Sequence, residues 1–163
     1  NESEITFAQL NDDSFVDWKA KDGTGINFTS SFETGYLLEG NVTNRRQAPH
    51  IFVYTKRTET GYIASGDSYI LENPSSCYMQ ARWDFADHSN SSKFGRRQQV
   101  YRILKDYDKT PTSLDFNTGF PVTVTRNKVR GSGKSLHLFF DSEDGKDFDI
   151  HGWAVHYSDN AGM

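Results

Sequence analysis

The stretch SLHLFFDSEDGKDFDIHGWAVHYS, residues 135–158, carries the strongest pattern in the chain. Apolar residues alternate with other side chains at its start, and the alternation returns at its end. The residues that share a face are Leu136, Leu138 and Phe140 in the first segment and Trp153, Val155 and Tyr157 in the second. A period of two predicts two β-strands joined by an acidic loop. They form either the closing hairpin of a binding module or the wall of an active site.

The same alternation recurs along the chain, and clusters of Gly and polar residues interrupt it about every ten residues. This pattern predicts an all-β fold, an antiparallel β-sandwich of jelly-roll type. Alternating Val, Leu and Ile, as in PVTVTRNKV (121–129), are expected to fill its core with buried aromatics. At most one short helix is expected, at 96–106, where the apolar positions fit a helix and a strand equally well. Residues 1–163 show no repeat or linker, which predicts a single domain.

Charge and hydropathy bear on the class of partner. The 163-residue chain has a net charge of −4, whereas nucleic-acid-binding proteins tend to be basic. No apolar run reaches the roughly 18 residues that a membrane-spanning helix needs. We therefore expect no nucleic-acid partner and no membrane insertion by this segment, and the sequence does not indicate an oligomeric state.

Two features bear on location. The single cysteine, Cys77, excludes an intrachain disulfide, which taken alone favours a reducing compartment. Four N-glycosylation sequons favour an extracellular protein, either secreted or the ectodomain of a membrane protein. They begin at Asn1, Asn27, Asn41 and Asn90. A lone cysteine in such a protein is either buried as a small hydrophobe or paired with another chain.

Motifs of enzymes are missing from the sequence. RGSGKS, residues 130–135, lacks the first glycine of a phosphate-binding loop, because that position is Lys128. A strand rather than a helix is expected to follow, so RGSGKS is interpreted as a glycine-rich hairpin turn. The five histidines show no metal-binding spacing, and no serine or cysteine nucleophile motif is present. We therefore predict that the protein is not an enzyme.

The loop of residues 141–149 has the densest group of acidic side chains. Carboxylate oxygens on one loop are ligands that calcium prefers, although the spacing is not that of an EF-hand. The loop is predicted either to be solvated or to bind calcium at a binding edge. The candidate ligands are Asp141, Glu143, Asp144 and Asp147.

A second polar segment, residues 81–97, mixes aromatic residues with paired arginines, as recognition surfaces do. The candidate ligand-binding residues are Trp83, Arg96 and Arg97, with Glu143 from the acidic loop. The alternative is a surface loop with a core tryptophan at Trp83. For a carbohydrate ligand, the candidate stacking platforms are Trp18, Trp83 and Trp153, of which the alternation places Trp153 in the core.

The C-terminal part resembles the closing hairpin of CUB domains, with an aliphatic–aromatic strand, a Ser–Asp loop, and then Gly, an aromatic residue and Tyr. The matching positions are Leu136, Leu138, Phe140, Ser142, Gly152, Trp153 and Tyr157. Upstream, VYRILKDYDKTPTSLDFNTGFP is similar to the same family, so the resemblance covers residues 98–158, or 62–158 at its widest. The chain departs from the family in forming no disulfide and in having Glu143 at the family's loop aspartate. The N-terminal part resembles the opening strands of laminin-G-like domains.

Both resemblances imply a sandwich with an extracellular binding role. The predicted function is a non-enzymatic extracellular recognition or adhesion module, as in receptor ectodomains, that binds a protein or glycan through the loops between strands. A carbohydrate-binding module or small glycan-acting hydrolase is the alternative. A viral or structural surface protein with a jelly-roll fold is a further alternative.

Overall fold

A computed structural model of the chain describes residues 16–19, 25–38, 44–65, 68–73, 75–88, 91–101 and 121–159. In chain order the strands are β1 (Val16–Lys19), β2 (Gly25–Asn27), β3 (Ser31–Leu37), β4 (Arg46–Lys56), β5 (Gly61–Ser65), β6 (Ser68–Glu72), β7 (Tyr78–Trp83), β8 (Gln98–Gln99), β9 (Val122–Lys128), β10 (Ser132–Gly133), β11 (Leu136–Asp141) and β12 (Asp149–Asp159). Within these ranges the structure is all-β, and no helix is long and apolar enough to cross a membrane. The helix candidate 96–106 contains β8, and its residues 102–106 lie outside the described ranges.

Two four-stranded antiparallel sheets form the main body. In sheet I, β4 pairs with β12 along one side and with β9 and β10 along the other. Sheet II has the order β3–β11–β7–β8. Two short hairpins, β1–β2 and β5–β6, accompany them. The predicted all-β, sandwich-like architecture is thus present.

The inward faces of both sheets share one hydrophobic core. Sheet I contributes Ile51 and Val53, and sheet II contributes Leu138 and Phe140, all fully buried. Half-buried Trp153 of β12 packs against Phe140 with 5.8 Å between ring centroids. Each fully buried large side chain contributes about 1.5–3 kcal/mol, so the period-two faces account for much of the stability.

The hairpin interpretation of residues 135–158 is wrong. β11 pairs with β3 and β7 in sheet II, whereas β12 pairs with β4 in sheet I. The acidic loop therefore carries the chain from one sheet to the other. Ser142, which is fully buried, fixes the exit from β11, because its N–H donates to the Ser30 carbonyl and its Oγ accepts from the Ser30 N–H.

RGSGKS is also not a hairpin turn. β9 and β10 both pair with β4, so this segment continues the edge of sheet I after an interruption. Gly131, with φ 110°, makes the interruption, and β11 follows. The prediction that a strand rather than a helix follows is confirmed.

The inward face of β9 differs from the expected row of valines. Val124 is 53% exposed, while buried Asn127 faces the core side. The Asn127 amide donates to Thr125 Oγ1 at 3.0 Å and to the Thr125 carbonyl at 3.2 Å. These hydrogen bonds satisfy the buried Asn127 amide, so the polar residues of β9 can face inward. Val124 therefore lies on the outer face.

Cys77 is buried in the core. Burial, and then the nearby Asp141 carboxylate, raise the pKa of its thiol to about 12. The thiolate is the reactive form, so this cysteine behaves as a small core hydrophobe rather than as a partner for another chain.

Candidate recognition loop

The β7–β8 loop, residues 84–97, presents the most exposed large apolar side chain of the described residues. Phe85 is 64% exposed. Asp84 has φ 52° and Phe85 has φ 60°, and the Ala86 N–H donates to the Trp83 carbonyl. Two central residues with positive φ under such a hydrogen bond are typical of a type I′ turn, for which Asn–Gly is the preferred pair. Phe85 therefore occupies a glycine position at a cost in backbone strain.

An aromatic stack supports the Phe85 ring. The ring lies on Tyr36 with 4.2 Å between centroids, and Tyr36 lies on the His137 ring at 4.9 Å. The Tyr36 hydroxyl donates to the Ala86 carbonyl at 3.3 Å. Burial lowers the pKa of His137 below its ordinary value, which favours the neutral ring under this stack. The exposed phenyl ring is therefore held in place from β3 and β11.

Asp84 anchors the other side of the turn. Its carboxylate accepts hydrogen bonds from the Lys93 ammonium at 2.8 Å and from the backbone N–H groups of Lys134 and Ser135 at 2.6 and 3.3 Å. A Cβ at Gly133 would lie 2.6 Å from Asp84 Oδ1, so glycine there leaves room for the carboxylate. Partial burial alone would raise the pKa of Asp84, but these hydrogen bonds outweigh burial and hold the pKa below its ordinary value.

The returning limb of the loop is tied to β7. The Gly95 N–H donates to the Ala81 carbonyl at 2.7 Å, and the Gln80 amide donates to the Gly95 carbonyl at 2.9 Å. The Arg82 guanidinium lies 4.7 Å from the centroid of the Phe94 ring, a cation–π contact. With both limbs fixed, the loop presents Phe85 with little conformational entropy left to lose on binding.

The strain at Phe85 predicts an ordering of two variants. Phe85→Ala keeps a Cβ at positive φ, whereas Phe85→Gly removes it, and both lose the ring contact with Tyr36. We expect the glycine variant to be more stable than the alanine variant by about 1 kcal/mol. Urea unfolding of the two proteins measures the difference. Equal stability, or a more stable alanine variant, would contradict the left-handed conformation of residue 85.

Of the three binding candidates in residues 81–97, the structure corrects Trp83 and places Arg96 and Arg97 at the surface. Trp83 is 1% exposed and belongs to the core, because β7 alternates inward at Met79, Ala81 and Trp83. Arg97 forms an ion pair with Asp141 at 2.6 Å, and its guanidinium lies 3.6 Å from the Tyr78 ring centroid. Arg96 is exposed and lines a cleft beside the loop. Trp83 is thus unavailable to a ligand at the surface.

Basic and hydroxyl groups engage two of the candidate calcium ligands. Asp141 pairs with Arg97, and Glu143 pairs with Lys146 and accepts from the Tyr78 hydroxyl at 2.6 Å. The Lys146 hydrogen bond, followed by that of Tyr78, lowers the pKa of Glu143.

The other two candidate ligands, Asp144 and Asp147, lie in the same loop. Asp144 is exposed, and Asp147 Oδ1 accepts from the Phe148 N–H. Among the described residues, no three His, Cys, Asp or Glu side chains converge as metal ligands would, and calcium binding stays a prediction.

The remaining candidates are dispersed. Trp153 packs in the core, as predicted, and the side chain of Trp18 lies outside the described residues. Asn27 is exposed, while Asn1, Asn41 and Asn90 lie outside the described ranges. The exposed aromatic on the outer face of sheet I is Tyr54, beside Gly152, where an added Cβ would meet nothing within 4 Å.

Phe85, Tyr36 and Asp84 were missed as site residues by sequence reasoning. The only local signal was Asp84, since Asp tolerates the left-handed region, and it does not point to an exposed aromatic residue beside it. Comparison with known proteins gives no further assignment, because no protein-family model, curated protein or solved structure matches the chain.

Proposed function

We propose that the protein is a non-enzymatic extracellular recognition module that binds a protein partner through the β7–β8 loop. The observation that carries this proposal is Phe85, a 64% exposed aromatic side chain kept at φ 60° where glycine is preferred. Strained residues persist where the surrounding structure over-determines them, and they cluster at functional positions. Exposed, rigidly supported aromatic residues are typical anchors of protein interfaces.

The surroundings of Phe85 favour a protein over a sugar as the partner of this loop. Phe85 has no hydroxyl or amide to bind sugar hydroxyls, and the ring beneath it, Tyr36, has its hydroxyl bound to Ala86. An apolar ring of this kind fits an apolar pocket, which desolvates it completely. The extracellular location in the proposal is supported by the four sequons and by the exposure of Asn27.

Jelly-roll connectivity is part of the same proposal. The chain passes from β10 in sheet I to β11 in sheet II and back to β12 in sheet I. Exchange of consecutive strands between two sheets supports a double-sheet topology of that type.

The test is binding of a fluorescent tetramer of the protein to cells of the source organism. Phe85→Ala is expected to weaken binding about 30-fold, the loss of one interface hot spot of about 2 kcal/mol. Val124→Ala is the matched control, because Val124 is also exposed and apolar but lies on the outer face of sheet I. It is expected to bind like wild type.

Treatment of the cells identifies the class of partner. The part of the binding that Phe85→Ala removes should be abolished by trypsin and left unchanged by enzymatic removal of cell-surface glycans. Phe85-dependent binding that survives trypsin, or equal losses in Phe85→Ala and Val124→Ala, would refute a protein partner at Phe85.

A further inference from the structure

A cationic cleft lies where sheets I and II meet beside the β7–β8 loop. Its volume is about 280 Å³, and it lies between the end of β9 and the segment from Gly95 to Gln98. Three basic side chains line it, Arg96, Lys128 and Arg130, and its described lining includes no acidic residue. The volume is just below the roughly 300 Å³ at which pockets for drug-sized molecules begin, so the cleft suits one small chemical unit.

The three basic side chains have no ion-pair or hydrogen-bond partner among the described residues. Elsewhere, Arg97 pairs with Asp141, Lys93 with Asp84, and Lys146 with Glu143. Within the ranges that the structure describes, Arg96, Lys128 and Arg130 form no ion pair, and their side chains make no hydrogen bond. Like charges converging on one cleft repel each other, and an oxyanion relieves that repulsion. The two guanidinium groups add paired donors that match sulfate, phosphate and carboxylate oxygens.

The rest of the lining adds the features of a sugar site. Ala81 and Val129, which are 2% and 8% exposed, form the floor of the cleft, and neither presents a polar side-chain group that a sugar ring would have to desolvate. The Gln98 amide, which makes no side-chain hydrogen bond within the described residues, offers a donor and an acceptor for hydroxyl groups. A bare inorganic anion would use the cations but not the floor or the amide.

The charge of the whole chain indicates a local site rather than diffuse attraction. The net charge is −4, so the molecule as a whole repels a polyanion. Attraction from the cleft is screened over about 8 Å at physiological salt, so an anionic chain is held only where it enters the cleft.

We propose that this cleft binds a sulfated sugar unit of an acidic glycan chain. The sulfate lies among Arg96, Lys128 and Arg130, the ring covers Ala81 and Val129, and Gln98 binds a hydroxyl. The cleft is a separate surface from the Phe85 ring: Gly95 and Arg96 belong to the returning limb of the same loop, but Phe85, Tyr36 and His137 of the aromatic stack do not line the cleft.

The test measures binding of a heparin-derived octasaccharide by calorimetry at about 150 mM salt. Wild type is expected to bind it, and the fully desulfated octasaccharide is expected to bind at least about tenfold more weakly. Arg96→Gln, Lys128→Gln and Arg130→Gln should each weaken binding about fivefold or more, and the triple variant should abolish it. These side chains make no hydrogen bond or ion pair within the described residues, so each variant should melt within about 2 °C of wild type.

Lys56→Gln is the control, because Lys56 is an exposed cation at the C-terminal end of β4, six residues along the strand from His50, which pairs with Lys128, and its ion-pair partner is Asp149. It should leave binding unchanged. Equal losses in Lys56→Gln and the cleft variants would overturn the proposal in favour of diffuse polyanion attraction. Equal affinity for the desulfated chain, or tighter binding of a phosphopeptide or a single-stranded oligonucleotide of the same charge, would also overturn it.

Discussion

Replacing Gly131 with alanine is expected to lower the free energy of unfolding by about 4 kcal/mol. Gly131 has φ 110°, which L side chains rarely adopt, and this strain costs about 1–3 kcal/mol. A Cβ there would also lie 2.7 Å from Nε1 and 2.8 Å from Cδ1 of Trp83. Trp83 is fully buried, so its ring cannot move aside into solvent, and overpacking adds about 1–3 kcal/mol.

Two other glycines separate these contributions in urea unfolding experiments. Gly35 has φ 72°, but a Cβ there would meet nothing within 4 Å, so Gly35→Ala should cost only the strain, about 1 kcal/mol. Gly152 has neither a positive φ nor a close neighbour, and Gly152→Ala should change stability by less than about 0.5 kcal/mol. If Gly131→Ala cost no more than Gly35→Ala, the contact with Trp83 would not be the reason for glycine at 131.

The alternation in the sequence predicted which residues face inward, but not which strands pair. Leu136, Leu138 and Phe140 are buried together because a strand with one apolar face must cover it. A period of two carries no information about the hydrogen-bonded neighbour, which is set by contacts far away in the chain. The hairpin expected in residues 135–158 was wrong for this reason. β11 pairs with β7 and β12 pairs with β4, and both partners come earlier in the chain.

Two further errors also arose because the prediction used only the local pattern of apolar and polar residues. Val124 and its neighbours alternate with threonines, and hydrophobicity alone assigned the valines to the core. In the structure the polar face of β9 is the inward one, because the buried Asn127 amide donates its hydrogen bonds to Thr125. The alternation pattern does not predict these hydrogen bonds. Trp83 in a polar segment suggested a ligand platform, although its position two and four residues after Ala81 and Met79 placed it on the inward face.

Part of the candidate site could be predicted from the sequence. Arg97, Asp141 and Glu143 were singled out as candidates, and folding brings them together in one network with Tyr78. Arg97 pairs with Asp141, and Glu143 pairs with Lys146, so these charges have partners within the protein and stabilise the junction of the acidic loop. Phe85 could not be predicted as a site residue, because an aromatic residue is among the least expected at a left-handed backbone position. Convergence of Arg96 with Lys128 and Arg130 depends on how the sheet edges meet, which no local pattern shows.

Replacing Asp84 with alanine is expected to lower the free energy of unfolding by about 2–3 kcal/mol at neutral pH. The change removes the acceptor of two backbone N–H groups, Lys134 and Ser135, and of the Lys93 ammonium. The side chain of Asp84 is 34% exposed, so water weakens the ion pair with Lys93, and the backbone hydrogen bonds supply most of the loss. Urea unfolding measures the loss, and amide hydrogen exchange at Lys134 and Ser135 should accelerate selectively.

The pH dependence of the free energy of unfolding tests whether the charge of the Asp84 carboxylate causes this stabilisation. The pKa of Asp84 is lower in the folded protein than its ordinary value, so its stabilisation is present above about pH 4. It is lost as the pH falls through the folded-state pKa, when the protonated group no longer accepts these hydrogen bonds. Asp84→Asn lacks this titration, so the stability gap between it and wild type should narrow below about pH 4.

Asp144→Ala is the control, because Asp144 is an exposed loop acid without a hydrogen bond among the described residues. It should change stability by less than about 0.5 kcal/mol. Because Asp84 is the first central residue of the turn that presents Phe85, Asp84→Ala should also weaken cell binding in the tetramer assay. If Asp84→Ala destabilised the protein but bound cells like wild type, the turn would not be what positions Phe85 for a partner. A constant gap between Asp84→Asn and wild type from pH 7 to pH 3 would show that the charge of Asp84 does not hold the turn.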